Sequence, residues 1–155
     1  EFTIEFLIDV YGWIVGFDLE RGFVEVRESV DAVDIDQDFF RKVTGLKSQT
    51  PSLKTMLAVG GWVDSNINDK YSQLVSSREN IDVFVGSVVG LLKEYGFDGL
   101  DMDWEYPQSD ADKNGCINLM VALKDAFAPV NYILSAAVAP ITTDLGYDIS
   151  SRNNS

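Results

Sequence analysis

The chain contains no histidine and only one cysteine among its 155 residues. The absence of histidine excludes serine or cysteine nucleophiles activated by an imidazole, and it excludes every zinc site built on histidine. Cys116 alone permits no internal disulfide and no zinc cluster, and its place in an apolar helical pattern predicts a small buried side chain. Catalysis must therefore rest on carboxylates, tyrosines, lysines or hydroxyls, and we expect no cofactor.

Basic residues are also scarce, since 12 lysines and arginines stand against 25 aspartates and glutamates, for a net charge of −13. Such a chain repels a phosphate backbone or an anionic membrane surface, so neither nucleic acid nor a membrane is an expected partner. No apolar run approaches the roughly 20 residues of a membrane span. The length suits one domain with a real core.

The stretch 97–107 is the most informative part of the sequence, because it concentrates four carboxylates within eight residues. From residue 100 to residue 105, apolar and acidic side chains alternate strictly, which is the period of a β-strand. The acidic face then carries Asp101, Asp103 and Glu105, and the opposite face carries Leu100, Met102 and Trp104. Asp98 is out of register with the acidic trio and belongs to the turn that enters the strand.

The acidic face is open to three interpretations. Like charges about 6–7 Å apart along a strand repel one another unless water screens them or protons neutralise them. A half-exposed antiparallel strand with a solvated acidic face would explain the pattern, although buried parallel neighbours argue against it. A calcium loop would need glycine at its sixth position, where Tyr106 stands, so a metal site is disfavoured. The third interpretation is a catalytic group.

Hydrophobic periodicity divides the chain into alternating strands and helices. Strands are predicted over residues 4–15, 55–59, 100–105 and 132–139. The segment with Val24, Val26 and Val30 is predicted to be a loop with some β character. Helices are predicted over 34–46, then from a capping box of Ser76 and Glu79 to a stop at Gly96, and then through Cys116 to Phe127, after a polar loop with Asp110, Asp112 and Asn114.

The alternation of strands and helices predicts a parallel sheet, because crossovers between parallel strands are right-handed. Two architectures fit four such strands: half of a (β/α)₈ barrel, or a small doubly wound sheet. In a barrel, chemistry collects at the carboxyl ends of the strands, where Glu105 lies. Paired carboxylates in a cleft suit glycosidic bond cleavage, in which one acid must keep a proton near neutral pH. Trp62, Tyr106 and Trp13 could offer apolar faces to sugar rings, whereas Trp104 belongs to the core by strand parity.

The acidic stretch 98–105 resembles the D-G-x-D-x-D-x-E signature of glycoside hydrolase family 18, the chitinases and chitinase-like proteins. Residues 54–62 are similar to the second motif of that family, S-x-G-G, with alanine where serine is commoner. This variant and the run 104–107 resemble the animal members, especially those of arthropods. Residues 135–140 look like the next barrel strand, and the resemblance covers about residues 30–148.

The resemblance implies an α/β fold, a (β/α)₈ TIM barrel of which this chain holds roughly strands two to five. Residues 1–155 would then be one partial catalytic domain, truncated at both ends, in a secreted protein that acts outside the cell. The implied activity is hydrolysis of chitin or chito-oligosaccharides, polymers of β-1,4-linked N-acetylglucosamine, with retention through substrate assistance. We expect a monomer at full length.

The resemblance also implies roles for individual residues. Glu105 would be the general acid and base, Asp103 would orient the acetamido group of the substrate, and Asp101 would share the proton of Asp103. Asp98 and Gly99 would shape the entry of the strand. Substrate binding is assigned to Tyr106, Trp62, Gly60, Gly61 and Trp13, and no metal is implied.

Three departures from the family pattern bear on these expectations. The M-x-Y-D strand end and the tryptophan of the last strand are absent, and a cysteine-bearing strand expected near the start is missing. These absences indicate that the parent can be active without the chain being active by itself. A chitin-binding lectin on the same scaffold is the alternative, and the retention of Glu105 favours the enzyme.

Overall fold

The computed structural model describes residues 3–8, 13–18, 23–28, 39–66 and 68–138. Its first three strands are β1 (Thr3–Ile8), β2 (Trp13–Asp18) and β3 (Phe23–Glu28), which form an antiparallel sheet in the order β1-β2-β3. Ile8 is paired with Trp13, and Asp18 with Phe23. The prediction of one strand over 4–15 is therefore wrong, because β-branched and aromatic residues favour a strand without fixing where the chain reverses.

The second sheet is parallel and holds β4 (Met56–Gly60), β5 (Gly99–Asp103) and β6 (Ile133–Ala136) in the order β4-β5-β6. Ala58 and Ser135 flank Asp101 in the register, one on each side. The parallel sheet predicted from the sequence is thus confirmed for three strands of the described segments. The first predicted strand, 4–15, contributes instead to β1 and β2 of the antiparallel sheet, so the count of four parallel strands is wrong for the described residues.

Five α-helices connect these strands in the described residues: α1 (Phe39–Gly45), α2 (Trp62–Asn66), α3 (Lys70–Leu74), α4 (Arg78–Tyr95) and α5 (Asp110–Phe127). Short 3₁₀ turns follow α1 at Leu46–Ser48 and α5 at Ala128–Val130. The predicted start of the first helix, residues 34–38, lies outside the described residues. The sequence did not predict α2 and α3, because five residues are too few to show a helical period.

Two predicted helix starts are corrected by the structure. Helix α4 is capped by Ser77, whose hydroxyl accepts a hydrogen bond from the backbone N–H of Asn80, and not by the predicted pair of Ser76 and Glu79. Helix α5 begins with a capping box of Ser109 and Asp112, so the segment predicted as a polar loop is its first turn. Gly96 ends α4 as predicted, with a φ of 77° that glycine adopts without strain.

The core lies between the parallel sheet and helices α4 and α5. Its most completely buried apolar residues are Leu74, Phe84, Leu92, Leu100, Leu119, Leu123 and Phe127. Cys116 packs against this core but is only half-buried, and desolvation raises the pKa of its thiol to about 11. Among the helices that the structure describes, none is long and apolar enough to cross a membrane.

Candidate active site

Strand β5 presents its acidic face as the alternation predicts. The three apolar side chains are almost completely buried, with Leu100 0%, Met102 2% and Trp104 5% exposed. Asp101, Asp103 and Glu105 are half-buried on the other face. Because β5 is the middle strand of a parallel sheet, the interpretation as a solvated antiparallel strand is wrong. Within β5, Leu100 and Met102 therefore face the core, and Asp101 and Asp103 face the other side of the sheet.

The carboxylates influence one another and two neighbouring hydroxyls. Burial raises the pKa of Asp103, and the charges of Glu105 and Asp101 raise it further. Ser135 Oγ donates a hydrogen bond of 2.6 Å to Asp101 Oδ1. The pKa of Tyr106 is raised by desolvation, then by a hydrogen bond to Glu105 and by the charges of Glu105 and Asp103. Three acids and a phenol therefore form one interacting group.

Gly60 and Gly61 reach this group through their backbones. A Cβ atom on Gly60 would lie 2.2 Å from the carbonyl oxygen of Asp103, and its φ of 126° is a conformation that L residues rarely adopt. The backbone N–H of Gly61 donates to the same oxygen at 2.8 Å. Only glycine at residue 60 lets the end of β4 pack directly against Asp103.

Helix α2 carries the next predicted residue and two that sequence analysis missed. Trp62 is 63% exposed at the first position of α2. Ser65 Oγ accepts a hydrogen bond of 2.8 Å from the backbone N–H of Glu105. Asn66 Nδ2 donates at 3.3 Å to the carbonyl oxygen of Glu105. Neither contact has a periodic signal in the sequence, since 40 and 39 residues separate the partners.

A buried polar trio holds α2 and α3 together behind this site. Lys70 Nζ and Tyr71 Oη both donate to the carboxylate of Asp64, Tyr71 at 2.5 Å. The ring of Tyr71 stacks on Trp104 with centroids 5.4 Å apart and an interplanar angle of 19°. Desolvation and then the charge of Asp64 raise the pKa of Tyr71 well above its usual range. The phenol therefore remains protonated and serves as a hydrogen-bond donor.

The remaining predicted residues lie away from the acidic group or outside the described side chains. Asp98 lies at the opposite end of β5 and accepts hydrogen bonds from Lys47, Lys54 and the backbone N–H of Thr55. A Cβ on Gly99 would lie 2.1 Å from the carbonyl oxygen of Ile133, so the predicted structural roles fit both residues. Trp13 belongs to β2, and its side chain is outside the described part.

The site therefore offers several carboxylates beside a hydroxyl and a phenol, at the carboxyl end of a parallel strand. Such a set can donate and accept protons on one bound molecule. In the part of the chain that the structure describes, no three acidic, cysteine or histidine side chains are grouped so as to hold a metal ion.

The sequence of the chain is similar to a known protein family and to individual insect proteins. Residues 18–154 match the model of a family described as glycosyl hydrolases family 18. The chain is 38% identical over 151 residues to the probable chitinase 10 of Drosophila melanogaster. The aligned region covers 90% of this chain and 6% of that protein. The chain is also 43% identical over 114 residues to the endochitinase of Manduca sexta, and that aligned region covers 68% of this chain and 20% of that protein.

Solved structures similar to this chain include catalytic domain 2 of the Group II chitinase of Ostrinia furnacalis. It matches with a TM-score of 0.64 at 41% identity, over 73% of this chain and 31% of that one. A mutant of the same domain, solved in complex with penta-N-acetylchitooctaose, matches with a TM-score of 0.65 at 39% identity, over 78% of this chain and 33% of that one. The chain thus spans about a third of this domain and 6–20% of the two curated relatives.

Proposed function

The chain belongs to the glycosyl hydrolases of family 18, and on that premise we propose that it is part of the catalytic domain of a chitinase. The proposed reaction is hydrolysis of β-1,4-linked N-acetylglucosamine polymers with retention. One observation carries the proposal: Asp101 and Asp103 lie in the carboxyl half of the parallel strand β5, Glu105 follows two residues after its end, and the three carboxylates interact. The names of the relatives support the substrate class, since they are chitinases.

In the proposed mechanism, Glu105 protonates the glycosidic oxygen as the bond to the anomeric carbon breaks. The acetamido oxygen of the substrate attacks that carbon, so the intermediate is a cyclised sugar rather than a glycosyl enzyme. Water then adds to the anomeric carbon, and Glu105 takes its proton as general base. Attack from opposite faces in the two steps returns the original configuration.

Asp103 would hold the acetamido group during this sequence. Its raised pKa favours a carboxyl group that keeps a proton, and a protonated carboxyl can donate to the acetamido group or share its proton with Asp101. The hydroxyl of Ser135 fixes the Asp101 end of this chain of carboxyls. Positive charge on the cyclised intermediate is stabilised when the proton leaves Asp103 toward Asp101.

Substrate binding is proposed for residues around the acids. Trp62 exposes most of its surface and lies two residues after the end of β4, which suits stacking against a sugar ring. The phenol of Tyr106 lies beside Glu105. Gly60 and Gly61 are included because their backbones pack directly against Asp103, beside the proposed substrate. The oligosaccharide complex of the similar insect domain supports this class of ligand.

The whole protein is proposed to be a secreted, monomeric (β/α)₈ barrel enzyme. The solved chitinases it resembles have this fold, and β4, β5 and β6 are three parallel strands of the kind it requires. We assign them to the region of strands two to five of that barrel.

The test is hydrolysis of a defined chito-oligosaccharide by the whole protein, with the anomer of the product determined by NMR. Wild type should release the β-anomer, and Glu105→Gln should bind the sugar but lose at least ~100-fold in kcat, because amide cannot donate the proton. Glu94→Gln is the matched control, since Glu94 lies on the exposed surface of α4. Binding without turnover in the wild type would indicate the alternative, a chitin-binding lectin on the same scaffold.

A further inference from the structure

Helix α2 contacts the chain on both sides of Glu105, and this contact is not part of the chemistry proposed above. We propose that Ser65 and Asn66 are positioning residues that hold the backbone of Glu105, and that the buried trio around Asp64 anchors them. The inference rests on the proposed function only in naming Glu105 as the general acid. Its structural content depends on hydrogen bonds within residues 62–105.

The backbone of Glu105 needs hydrogen-bond partners outside the sheet, because β5 ends before this residue. The strand spans Gly99–Asp103, so the N–H and C=O groups of Glu105 lie beyond the hydrogen-bond ladder that β4 and β6 provide. Buried or half-buried backbone groups require partners. Ser65 supplies one for the N–H and Asn66 supplies one for the C=O.

The hydroxyl of Ser65 bridges two residues of the acidic group. Its oxygen accepts from the backbone N–H of Glu105 at 2.8 Å, and its proton is directed to the carbonyl oxygen of Asp103 at 3.4 Å. Asn66 Nδ2 donates two hydrogen bonds, to the carbonyl oxygen of Trp62 at 2.6 Å and to that of Glu105 at 3.3 Å. The two side chains therefore continue the ladder after the strand has ended.

The buried trio prevents α2 from moving away. Asp64 is 1% exposed, Lys70 3% and Tyr71 1%. A carboxylate buried to this degree is stable only while its partners are in place, so a shift of α2 would expose or break the pair. Because Tyr71 also stacks on Trp104, the residue before Glu105 is held by the same trio.

This arrangement predicts a particular kinetic signature. A general acid must lie within a few tenths of an ångström of its productive position, and a misplacement of 1 Å can cost about 100-fold in rate. Loosening the backbone of Glu105 changes its carboxyl position without removing any group that binds sugar. The maximal rate should therefore fall while KM stays nearly constant.

The experiment compares Ser65→Ala with wild type in the whole protein, on the same chito-oligosaccharide. Ser65→Ala should lower kcat about 10- to 100-fold and change KM by less than about twofold. Ser65→Thr restores a hydroxyl on the same carbon and should recover most of kcat. Ser87→Ala is the matched control, because Ser87 Oγ also donates to a backbone carbonyl, that of Val83 within α4.

A second measurement does not depend on turnover. Hydrogen–deuterium exchange of the Glu105 amide should accelerate at least about tenfold in Ser65→Ala, while amides in the middle of α4 stay unchanged. Asn66→Ala tests the other half of the contact and should give a smaller loss of kcat. It leaves the N–H of Glu105 bonded to Ser65, so the exchange of that amide should change little.

The outcomes separate this inference from the proposed function. Wild type without turnover overturns the proposed function, and the exchange of the Glu105 amide then still decides whether Ser65 holds this peptide. An active wild type with an equally active Ser65→Ala variant overturns the inference alone. If Ser65→Ala fails to fold, Ser65→Cys keeps the size of the side chain but weakens the acceptor, and an unchanged kcat in that variant also overturns the inference.

Discussion

At the scale of single residues, the ionised carboxylate of Asp103 is unfavourable in the folded protein, although the proposed reaction uses this residue. Its carboxyl group is disfavoured in the ionised form by burial and by its neighbours Glu105 and Asp101, which is why its pKa is raised. A group whose pKa is raised on folding costs no stability below the pKa of the unfolded chain. The cost develops as the pH rises through the pKa of the folded protein. The ionised carboxylate of Asp103 therefore destabilises the folded protein at neutral pH.

Asp103→Asn should separate the two effects. The variant keeps the shape of the side chain but cannot ionise, so its Tm at pH 7 should exceed that of wild type. The difference should close as the pH falls below about 4, where the unfolded carboxyl is protonated. Under the proposed mechanism the kcat should also fall at least about tenfold, with an altered pH profile, because an amide has no carboxyl proton to share with Asp101.

Thermal unfolding across this pH range, with kinetics on the same samples, provides the check. Asp125→Asn is a suitable control, because Asp125 lies on the exposed face of α5 and its substitution should change stability by less than about 0.5 kcal/mol. An Asp103→Asn variant that is less stable than wild type at pH 7 would contradict this account of the site.

The burial of single residues could be predicted from the sequence where strand parity determined it. The alternation predicted that Leu100, Met102 and Trp104 are buried, and this is confirmed. Asp101 and Asp103 alternate with them as half-buried residues of β5, whereas Glu105 lies beyond the end of the strand. Ser65, Lys70 and Tyr71 gave no comparable signal. Their contacts depend on how two five-residue helices fold back onto the end of β5, and no period in the sequence encodes that approach.

At the scale of elements, two neighbouring serines precede α4, and only Ser77 caps the helix. Ser77 has extended backbone angles and its hydroxyl accepts from the N–H of Asn80 at 3.1 Å, which is the geometry of a helix cap. The hydroxyl of Ser76 instead donates to the carbonyl of Gln73. The sequence pattern of serine followed three residues later by glutamate favoured the wrong one of the two.

Ser77→Ala should therefore lower the free energy of unfolding by about 1 kcal/mol, because it leaves an N–H of the first turn without its partner. Ser76→Ala should cost clearly less, since its bond lies outside the helix. Urea unfolding of the two single variants measures the difference. Equal losses of unfolding free energy in the two variants would mean that Ser77 stabilises the helix start no more than Ser76 does.

The other element-scale errors have a common physical origin. The polar composition of the segment 110–114 favours a loop, yet Asp112 and Ser109 cap each other and start α5 there. Ile117 in the same helix is 46% exposed, so an apolar residue type does not by itself place a side chain on the buried face. Composition indicates that a helix exists, but capping geometry and tertiary contacts determine its ends and its faces.

At the scale of the whole molecule, Asp98 joins segments that are distant in the sequence. It accepts hydrogen bonds from Lys47 after α1 and from Thr55 before β4, and it precedes β5. Burial would raise the pKa of Asp98, but the bonds from Thr55, Lys47 and Lys54 outweigh that effect and lower the pKa to about 2. The charged form is thus favoured in the folded protein.

Acid unfolding should reflect this link. A carboxylate with a lowered pKa stabilises the fold above the pKa of the unfolded chain, and that contribution is lost as the pH falls from about 4 to about 2. Asp98→Asn should lower stability by about 1–2 kcal/mol at pH 7, with the difference from wild type closing below about pH 2.

The control for this prediction is Asp82→Asn. Asp82 pairs with Arg78 on the surface of α4, where both side chains are more than half exposed. Its loss should change stability by less than about 1 kcal/mol at any pH. Denaturant unfolding at several pH values measures both variants, and a pH-independent loss in Asp98→Asn would rule out the proposed role of its charge.

The strict two-residue period of β5 also determines which changes in the gene the protein can tolerate. A substitution in this strand alters one side chain on one face. An in-frame loss of a single codon between Gly99 and Asp103 would instead exchange the two faces for every residue on one side of the deletion. Acidic side chains would then point into the core, and apolar side chains would point to the acidic face. Codon deletions here should be far more damaging than point mutations, and a mutational scan that includes both would show the strand as a short interval intolerant of length change.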